Sequence, residues 1–220
     1  MGPEQDHYYK DCYFPASMLE YMNTVHGRPG RPATAMFQEA VDRCELKFQS
    51  MKPSLDRIQN ADSCKSILDV GCGFAVADIF LAKYLGLSEI HLLDGDGTAR
   101  RQKGFNEASE PWGNVHIAGD IVRANAPAAV VYAHCPPLNL SKCVDMVVSL
   151  RSWGHHYPIS TYLKDVQGWL RPKGWLIIDI RKPEKTKGVE QLQAVGFQVV
   201  EQIPDSSDKC KRYLFRKLCA

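Results

Sequence analysis

Three aspartates in this chain each close a short apolar run: Asp69 in "ILDVGCGFAVADIF", Asp94 in "IHLLDGDG" and Asp120 in "HIAGDIV". The first run breaks on Gly71 and Gly73 and resumes with the apolar spacing of a helix. A tight strand-to-helix turn of that kind presents backbone N–H groups at the positive end of a helix, and its glycines let a ligand come close to the main chain. A pyrophosphate is disfavoured, because the third glycine of the dinucleotide fingerprint would fall at Val76, and a phosphate loop is excluded by the lack of Gly-Lys-Ser/Thr. What remains is a nucleoside ligand without a pyrophosphate, held by the carboxylate of Asp69 inside its strand. Asp94 stands where an acid accepts bonds from both ribose hydroxyls. A lone aspartate at a strand end is commonly a helix cap, but three in sequence and register mark the crevice where parallel sheets bind ligands. Asp96 reads more plainly as the cap of the next helix, and "DGDG" lacks the later positions of a calcium loop.

A second group lies in "SLRSWGHHYP", residues 149–158. Histidine is the natural base for taking a proton near neutral pH, and His155 and His156 are adjacent, so one of them points inward. His156, directly before the Tyr157-Pro158 bend, is the preferred one; the alternative is that both cap the following helix or pack beneath Trp153. Arg151 offers an anion contact, and Trp153 an aromatic platform for a sugar or ring. Asp179 and Arg181 close a later strand at the same rim, where an ion pair with the next helix is the simpler reading. No metal is expected: "GHHYP" lacks the i, i+4 spacing of a histidine pair, and the eight cysteines form no Cys-x-x-Cys.

These residues need a scaffold that brings strand ends together. The chain has 220 residues, 45% apolar and 24% charged, enough for one core of ordinary type. Short apolar runs alternate with amphipathic stretches from Ser66 onward, which predicts an α/β fold with a doubly wound, mostly parallel sheet. Strands are expected near 66–70, 90–93, 114–118, 144–150, 174–180, 197–203 and 211–217. Helices are expected at 74–86, 97–108, 159–170 and 184–195, the last two closing near Gly168 and Gly196. Arg171-Pro172-Lys173-Gly174 reads as a turn before a central strand, and 121–143, with three prolines, as a long loop.

Residues 1–65 read as a helical cap on a core of 66–220. "HYYKDCYFPASMLEYM" and "ATAMFQEAVDRCELKFQSM" look like helices joined by "HGRPGRP", and Tyr8, Tyr9 and Phe14 are candidates for a lid that excludes water. A net charge of +2 implies no polyanionic partner, and Lys209, Lys211, Arg212, Arg216 and Lys217 read as a solvated strand edge. The scattered thiols, the polar N-terminus and the absence of a long apolar run predict a soluble, cytoplasmic protein with no membrane partner.

The order Asp69-x-Gly71-x-Gly73, Asp94, Gly119-Asp120, "VDMVVSL" and "LRPKGWLIIDI" resembles the class I, Rossmann-like S-adenosylmethionine-dependent methyltransferases over about residues 64–218. It departs from that pattern by lacking the third glycine after Gly73. The resemblance implies seven strands, the last antiparallel, and S-adenosyl-L-methionine as cofactor. It implies that Asp69 and the backbone of Gly71, Cys72 and Gly73 hold the methionine part, Asp94 with Gly95 the ribose, and Asp120 with Ile121 the adenine. Leu150 and the loop after it would face the transferable methyl group. The acceptor implied is a hydroxyl of a small molecule or sugar, deprotonated by His156 or His155, with Arg151 and Trp153 binding it. Nucleic acid is not favoured. The fourth strand lacks the Asp/Asn-Pro-Pro-aromatic of DNA amino-methyltransferases, "CPPL" at 135–138 has neither acid nor aromatic, and no cysteine stands at the strand rim for cytosine C5 chemistry. A catalytically silent cofactor-binding module is the other alternative.

Overall fold

The computed structural model describes residues 6–26, 32–97, 113–204 and 209–219. Its centre is a seven-stranded sheet made of β3 (Ser66–Val70), β4 (Glu89–Leu93), β5 (Val130–His134), β6 (Val144–Ser149), β7 (Leu170–Arg181), β8 (Phe197–Ile203) and β9 (Cys210–Lys217). The spatial order is β5-β4-β3-β6-β7-β9-β8. Neighbours from β5 to β7 are parallel, and β9 runs antiparallel to both β7 and β8. The chain leaves β3 toward one edge and returns to build the other half from β6. The switch therefore lies between β3 and β6, where open α/β sheets form their crevice.

Side-chain alternation sorts the sheet into two apolar faces. Ile67, Ile90, Leu92, Met146 and Val148 face one layer with α3 (Val76–Leu85) and α4 (Val115–Asn125). Leu68, Val70, Leu93, Val147 and Ile178 face the other, with α5 (Leu163–Trp169) and α6 (Lys185–Ala194). Asp69 shares the parity of Ile67, so it is a carboxyl set into the first face.

The N-terminal part is built differently from the expected pair of helices. β1 (His7–Tyr9) and β2 (Cys12–Phe14) form a hairpin whose turn places Lys10 and Asp11 at positive φ. It is followed by α1 (Ala16–His26) and by α2 (Ala33–Ala61), which continues through Pro53 well beyond residue 51. Asn125 docks the hairpin on α4, accepting from the Tyr13 N–H and donating to the Tyr13 carbonyl, both at 2.7 Å. Phe14, Met18, Phe37, Met51 and Leu55 are buried in the same apolar cluster as the sheet, so the described part of this segment shares one core with the rest. Phe14 is inside that core, Tyr9 donates to Asp42, and Tyr8 is 72% exposed.

Two other expectations are corrected. Residues 114–118 are not a strand: Asn114 accepts from the N–H groups of His116 and Ile117 and starts α4, where Val115, Ala118, Ile121 and Val122 recur at helical spacing on the buried side. The third strand is β5, inside the stretch read as a loop; it is an edge strand with Val130 and Tyr132 exposed, so it lacks a buried apolar run. Arg171–Gly174 lies within β7 as an irregularity, Lys173 at positive φ, and Gly168 lies inside α5 after a short 3₁₀ turn at Ile159–Thr161. The helix expected at 97–108 falls almost wholly outside the described residues.

The C-terminal cations are engaged in the fold. Arg212 pairs in bidentate fashion with Asp179 on the adjacent strand at 2.8 and 3.1 Å, both wholly buried. Arg216 meets Asp62 at 2.6 Å and lies over the Trp175 ring, and Lys217 donates to the carbonyls of Gln167 and Leu170. The partner of Asp179 is thus β9, and three of the five basic residues are tied to named partners.

Candidate active site

The strand ends of β3 and β4 are stitched together at the glycine turn. The N–H groups of Gly71 and Cys72 both donate to the Leu93 carbonyl, at 2.7 and 3.3 Å. That of Gly73 donates to Asp94 Oδ2 at 2.8 Å, while Asp94 Oδ1 accepts from Gly95 and Gly113 at 2.7 and 3.1 Å. The backbone donors of residues 71–73 are therefore engaged inside the protein, which corrects the expectation that they hold a ligand directly. Asp94 is the buried staple of the turn, and burial raises its carboxyl above the ordinary range against three N–H donors that lower it. Its Oδ1 has both lone pairs engaged by the Gly95 and Gly113 donors, and Oδ2 keeps one for a further donor.

Gly71 is required by space as well as by its φ of +78°. A Cβ there would lie 1.7 Å from the Ser152 hydroxyl, so the loop after β6 leans directly on the turn. Two clefts meet at this glycine. One, about 420 Å³, is lined by Ala40, Cys44 and Lys47 of α2, by Asp69, Gly71, Cys72, Phe74, Val76 and Ala77, and by Leu150. The other, about 230 Å³, is lined by Gly71, Leu93, Asp94, Ser152, Tyr157 and Tyr162.

In the larger cleft Asp69 is 3% exposed and its Oδ1 has no hydrogen-bond partner. Behind it, in the first turn of α3, Asp78 is wholly buried with both oxygens unpartnered. Burial is the main cause that raises both carboxyls, Asp69 to about 7; the proximity of Asp69 raises Asp78 further, whereas Asp78 acts on Asp69 in the lowering direction and the charge of Asp94 in the raising one. In the smaller cleft, burial and the nearby Asp94 push the Tyr157 phenol up to about 12, so it remains a donor. Tyr21 of α1 is raised by the same two causes, which places α1 near Asp94 as well.

The loop 150–158 is rigidly held. Ser149 Oγ donates to the Val70 carbonyl at 2.8 Å and accepts from the Trp153 N–H at 2.9 Å, and the Trp153 indole donates to the Ile159 carbonyl at 2.9 Å. Trp153 is wholly buried in the second apolar face, so it is a packing residue and not a platform for substrate. Arg151, at a φ of +64°, has its Nε buried without a partner. His155 is half-buried with Nδ1 unpartnered; burial first, then the charges of His156, Arg151 and Arg181, lower its pKa to about 4. His156 is exposed, which reverses the preference between the two. Neither imidazole lines the two clefts at Gly71; the loop contributes Leu150, Ser152 and Tyr157.

Asp120 and Ile121 are not brought to the site. Both lie in α4, where Asp120 is exposed and pairs with Arg123 at 2.8 Å and Ile121 is in the core. The third parallel strand ends instead at His134 and Cys135, with the His134 carbonyl accepting from the Asp94 N–H. Lys47, Asp78, Ser152, Tyr157 and Tyr162 were missed by sequence reasoning. Lys47 at least follows Ala40 and Cys44 at helical spacing, a legible stripe on α2.

No protein-family model matches the sequence, and no curated protein matches it either. Solved structures do match. An S-adenosylmethionine-dependent methyltransferase from Clostridium acetobutylicum aligns with a TM-score of 0.55 at 12% identity, over 79% of this chain and 92% of that one. M. jannaschii TYW2 in complex with AdoMet aligns at 0.54 and 11% identity, over 99% of this chain and 87% of that one. M. jannaschii tRNA m1G37 methyltransferase aligns at 0.51 and 10% identity, over 78% of this chain and 50% of that one. The sheet order, the reversed last strand and these alignments give the chain the Rossmann-like fold of class I S-adenosylmethionine-dependent methyltransferases.

Proposed function

We propose that the protein is an enzyme that transfers a methyl group from S-adenosylmethionine to a hydroxyl of a small molecule, with sugars the first class to test. The observation that carries the cofactor assignment is the pair of clefts meeting at Gly71, one ending in the orphaned carboxyl of Asp69 and the other in Asp94. A nucleoside joined through sulfur to an amino acid suits that division: ribose toward Asp94, the amino-acid end toward Asp69, the sulfur near Gly71 beneath Leu150 and Ser152. The bound cofactor would supply a methyl group already activated on a sulfonium. The protein's own task is then to align the acceptor and take its proton.

Small acceptors are favoured by the engagement of Arg212, Arg216 and Lys217, the cations that supported a nucleic-acid partner. His155 is the better candidate base, because it is held neutral and keeps a buried, unpartnered ring nitrogen. The test is a labelled-methyl screen of sugars, nucleosides, phenols and nucleic acids, scored also by S-adenosylhomocysteine formed. Label in a small hydroxyl compound supports the reading. Label in RNA or DNA overturns the acceptor class, and cofactor binding without turnover on any of these makes the protein a silent binding module.

A further inference from the structure

A third cleft, about 420 Å³, borders the same loop that bounds the cofactor clefts. Residues 152–158 serve both: Ser152 and Tyr157 line the smaller cleft at Asp94, whereas Gly154 and Pro158 line this one. Across from them the turn after Pro158 and the first two turns of α6 contribute Ser160, Glu184, Lys187 and Gln191. None of these four side chains has a hydrogen-bond or ion-pair partner among the described residues. The floor is bare and fixed. A Cβ on Gly188 would lie 3.0 Å from Ile180 and 3.2 Å from Ile159, and one on Gly154 would lie 3.0 Å from the Asp179 carbonyl. Free polar groups converging over the apolar Pro158 and Ile159 are the lining expected of a small-molecule site.

Charge and donors around the cleft select an anion that also carries hydroxyls. Residues 181–187 hold four cations, Arg181, Lys182, Lys185 and Lys187, against one acid, Glu184. Helix α6 starts at Lys185 without a side-chain cap, so the positive end of its dipole adds to that excess. Glu184 accepts from hydroxyls, Ser160 and Gln191 both donate and accept, and the apolar floor suits the C–H face of a ring. Gly154 is followed directly by His155, and consecutive Cα atoms lie about 3.8 Å apart, so a ligand on the Gly154 floor is within one side chain's reach of the candidate base. Building on the reading of a hydroxyl acceptor with His155 as its base, we infer that the third cleft anchors the non-reacting end of the acceptor, and that this acceptor is a small polyhydroxylated anion, a sugar acid or a sugar phosphate.

Lys187 and the first turn of α6 take the anionic group. Glu184, Gln191 and Ser160 hold the ring by its hydroxyls, and one hydroxyl is left to face His155. Anchoring away from the reacting oxygen supplies the alignment that methyl transfer requires. A neutral sugar lacks the charge partner for Lys187, and a bare inorganic anion lacks the hydroxyls, so the cleft discriminates against both.

The test uses the full chain and four probes, D-glucuronate, D-glucose 6-phosphate, D-glucose and inorganic phosphate, with binding read by calorimetry in the presence of S-adenosylhomocysteine. At least one of the two sugar anions should bind about tenfold tighter than both glucose and inorganic phosphate, and which of them does so tells a carboxylate site from a phosphate site. Lys187→Met should weaken that probe about tenfold. Lys187 is exposed, and an unchanged melting temperature shows that the variant is folded. With a labelled methyl donor the same sugar anion should take the label, and Lys187→Met should raise its KM about tenfold at constant kcat. Binding of glucose or inorganic phosphate as tight as that of the sugar anions, or a sugar anion bound equally well by Lys187→Met, overturns the site. Label absent from both sugar anions overturns the anchoring role, and label in glucose at the same time leaves the transferase reading standing. Failure of S-adenosylhomocysteine to bind overturns the cofactor reading, and the four binding measurements repeated without it still decide the cleft.

Discussion

At the scale of single residues, the carboxyl pair Asp69 and Asp78 sets a condition on folding. Burial raises Asp69 to about 7, against about 3.9 in an unfolded chain, so between those values the unfolded state ionises while the folded state keeps its proton. The contribution to stability is complete below pH 4 and is lost as pH rises toward 7, a total of roughly 4 kcal/mol at the upper bound. Asp69→Asn should remove this component: its melting temperature should fall less between pH 5 and 7.5 than that of the unaltered protein. An unchanged slope would place the titrating proton elsewhere. The histidines carry a separate prediction. With a hydroxyl acceptor, His155→Ala should lower turnover by about 10²–10⁴-fold, the contribution of a positioned base, while exposed His156→Ala stays within a few-fold. Since His155 is held down to about 4, it is neutral throughout the physiological range, and turnover should fall on its account only as the pH drops toward that value. Equal losses from both alanine variants would point to the loop's shape and not to proton transfer.

At the scale of elements, the turn after β3 and the loop after β6 act as one unit, because Ser152 occupies the space that a side chain at Gly71 would need. Gly71→Ala must push that loop away and also hold alanine at a φ of +78°, itself worth about 1–2 kcal/mol. Binding of S-adenosylhomocysteine should be lost in Gly71→Ala and partly recovered in Gly71→Ala with Ser152→Gly, which relieves the collision and leaves the backbone strain. No recovery in the double variant would mean that the loop does not press on the turn. The same contrast explains what the sequence reveals. β3, β4, β6, β7, β8 and β9 are apolar runs or alternations between polar breaks, and Asp69, Gly71 and Asp94 stand out because acids and glycines are rare inside such strands. β5 is hidden because an edge strand exposes Val130 and Tyr132, and "HIAGDIV" is misread because a seven-residue window fits either period, while the deciding signal is the Asn114 cap outside it. The hairpin at 7–14 is masked by its aromatic side chains. Lys47 and Ser152 reach the clefts from a helix face and a loop, and Asp78 lies buried behind Asp69, where tertiary packing decides what is neighbour to what.

At the scale of the whole molecule, the reversed last strand must be bound firmly, since it lies between β7 and β8 and carries the segment behind the β7 rim. Asp179 and Arg212 stand directly opposite each other in that pairing, and Arg212 reaches on to the Ser50 hydroxyl of α2 at 3.2 Å. One buried ion pair therefore ties β7, β9 and the long N-terminal helix together. Removing one partner leaves a charge with no water and no counter-ion, so Arg212→Leu should destabilise the protein by about 3–5 kcal/mol in urea unfolding. Asp179→Leu combined with Arg212→Leu strands no charge, and replacing a buried pair by apolar side chains is commonly neutral or favourable. The double variant should accordingly recover most of the loss and show the same unfolding slope as the unaltered chain. The opposite order, with the double variant less stable than Arg212→Leu alone, would mean that the pair contributes net attraction beyond its desolvation cost. It would then be a source of stability in its own right and not a device for fixing the register of β9.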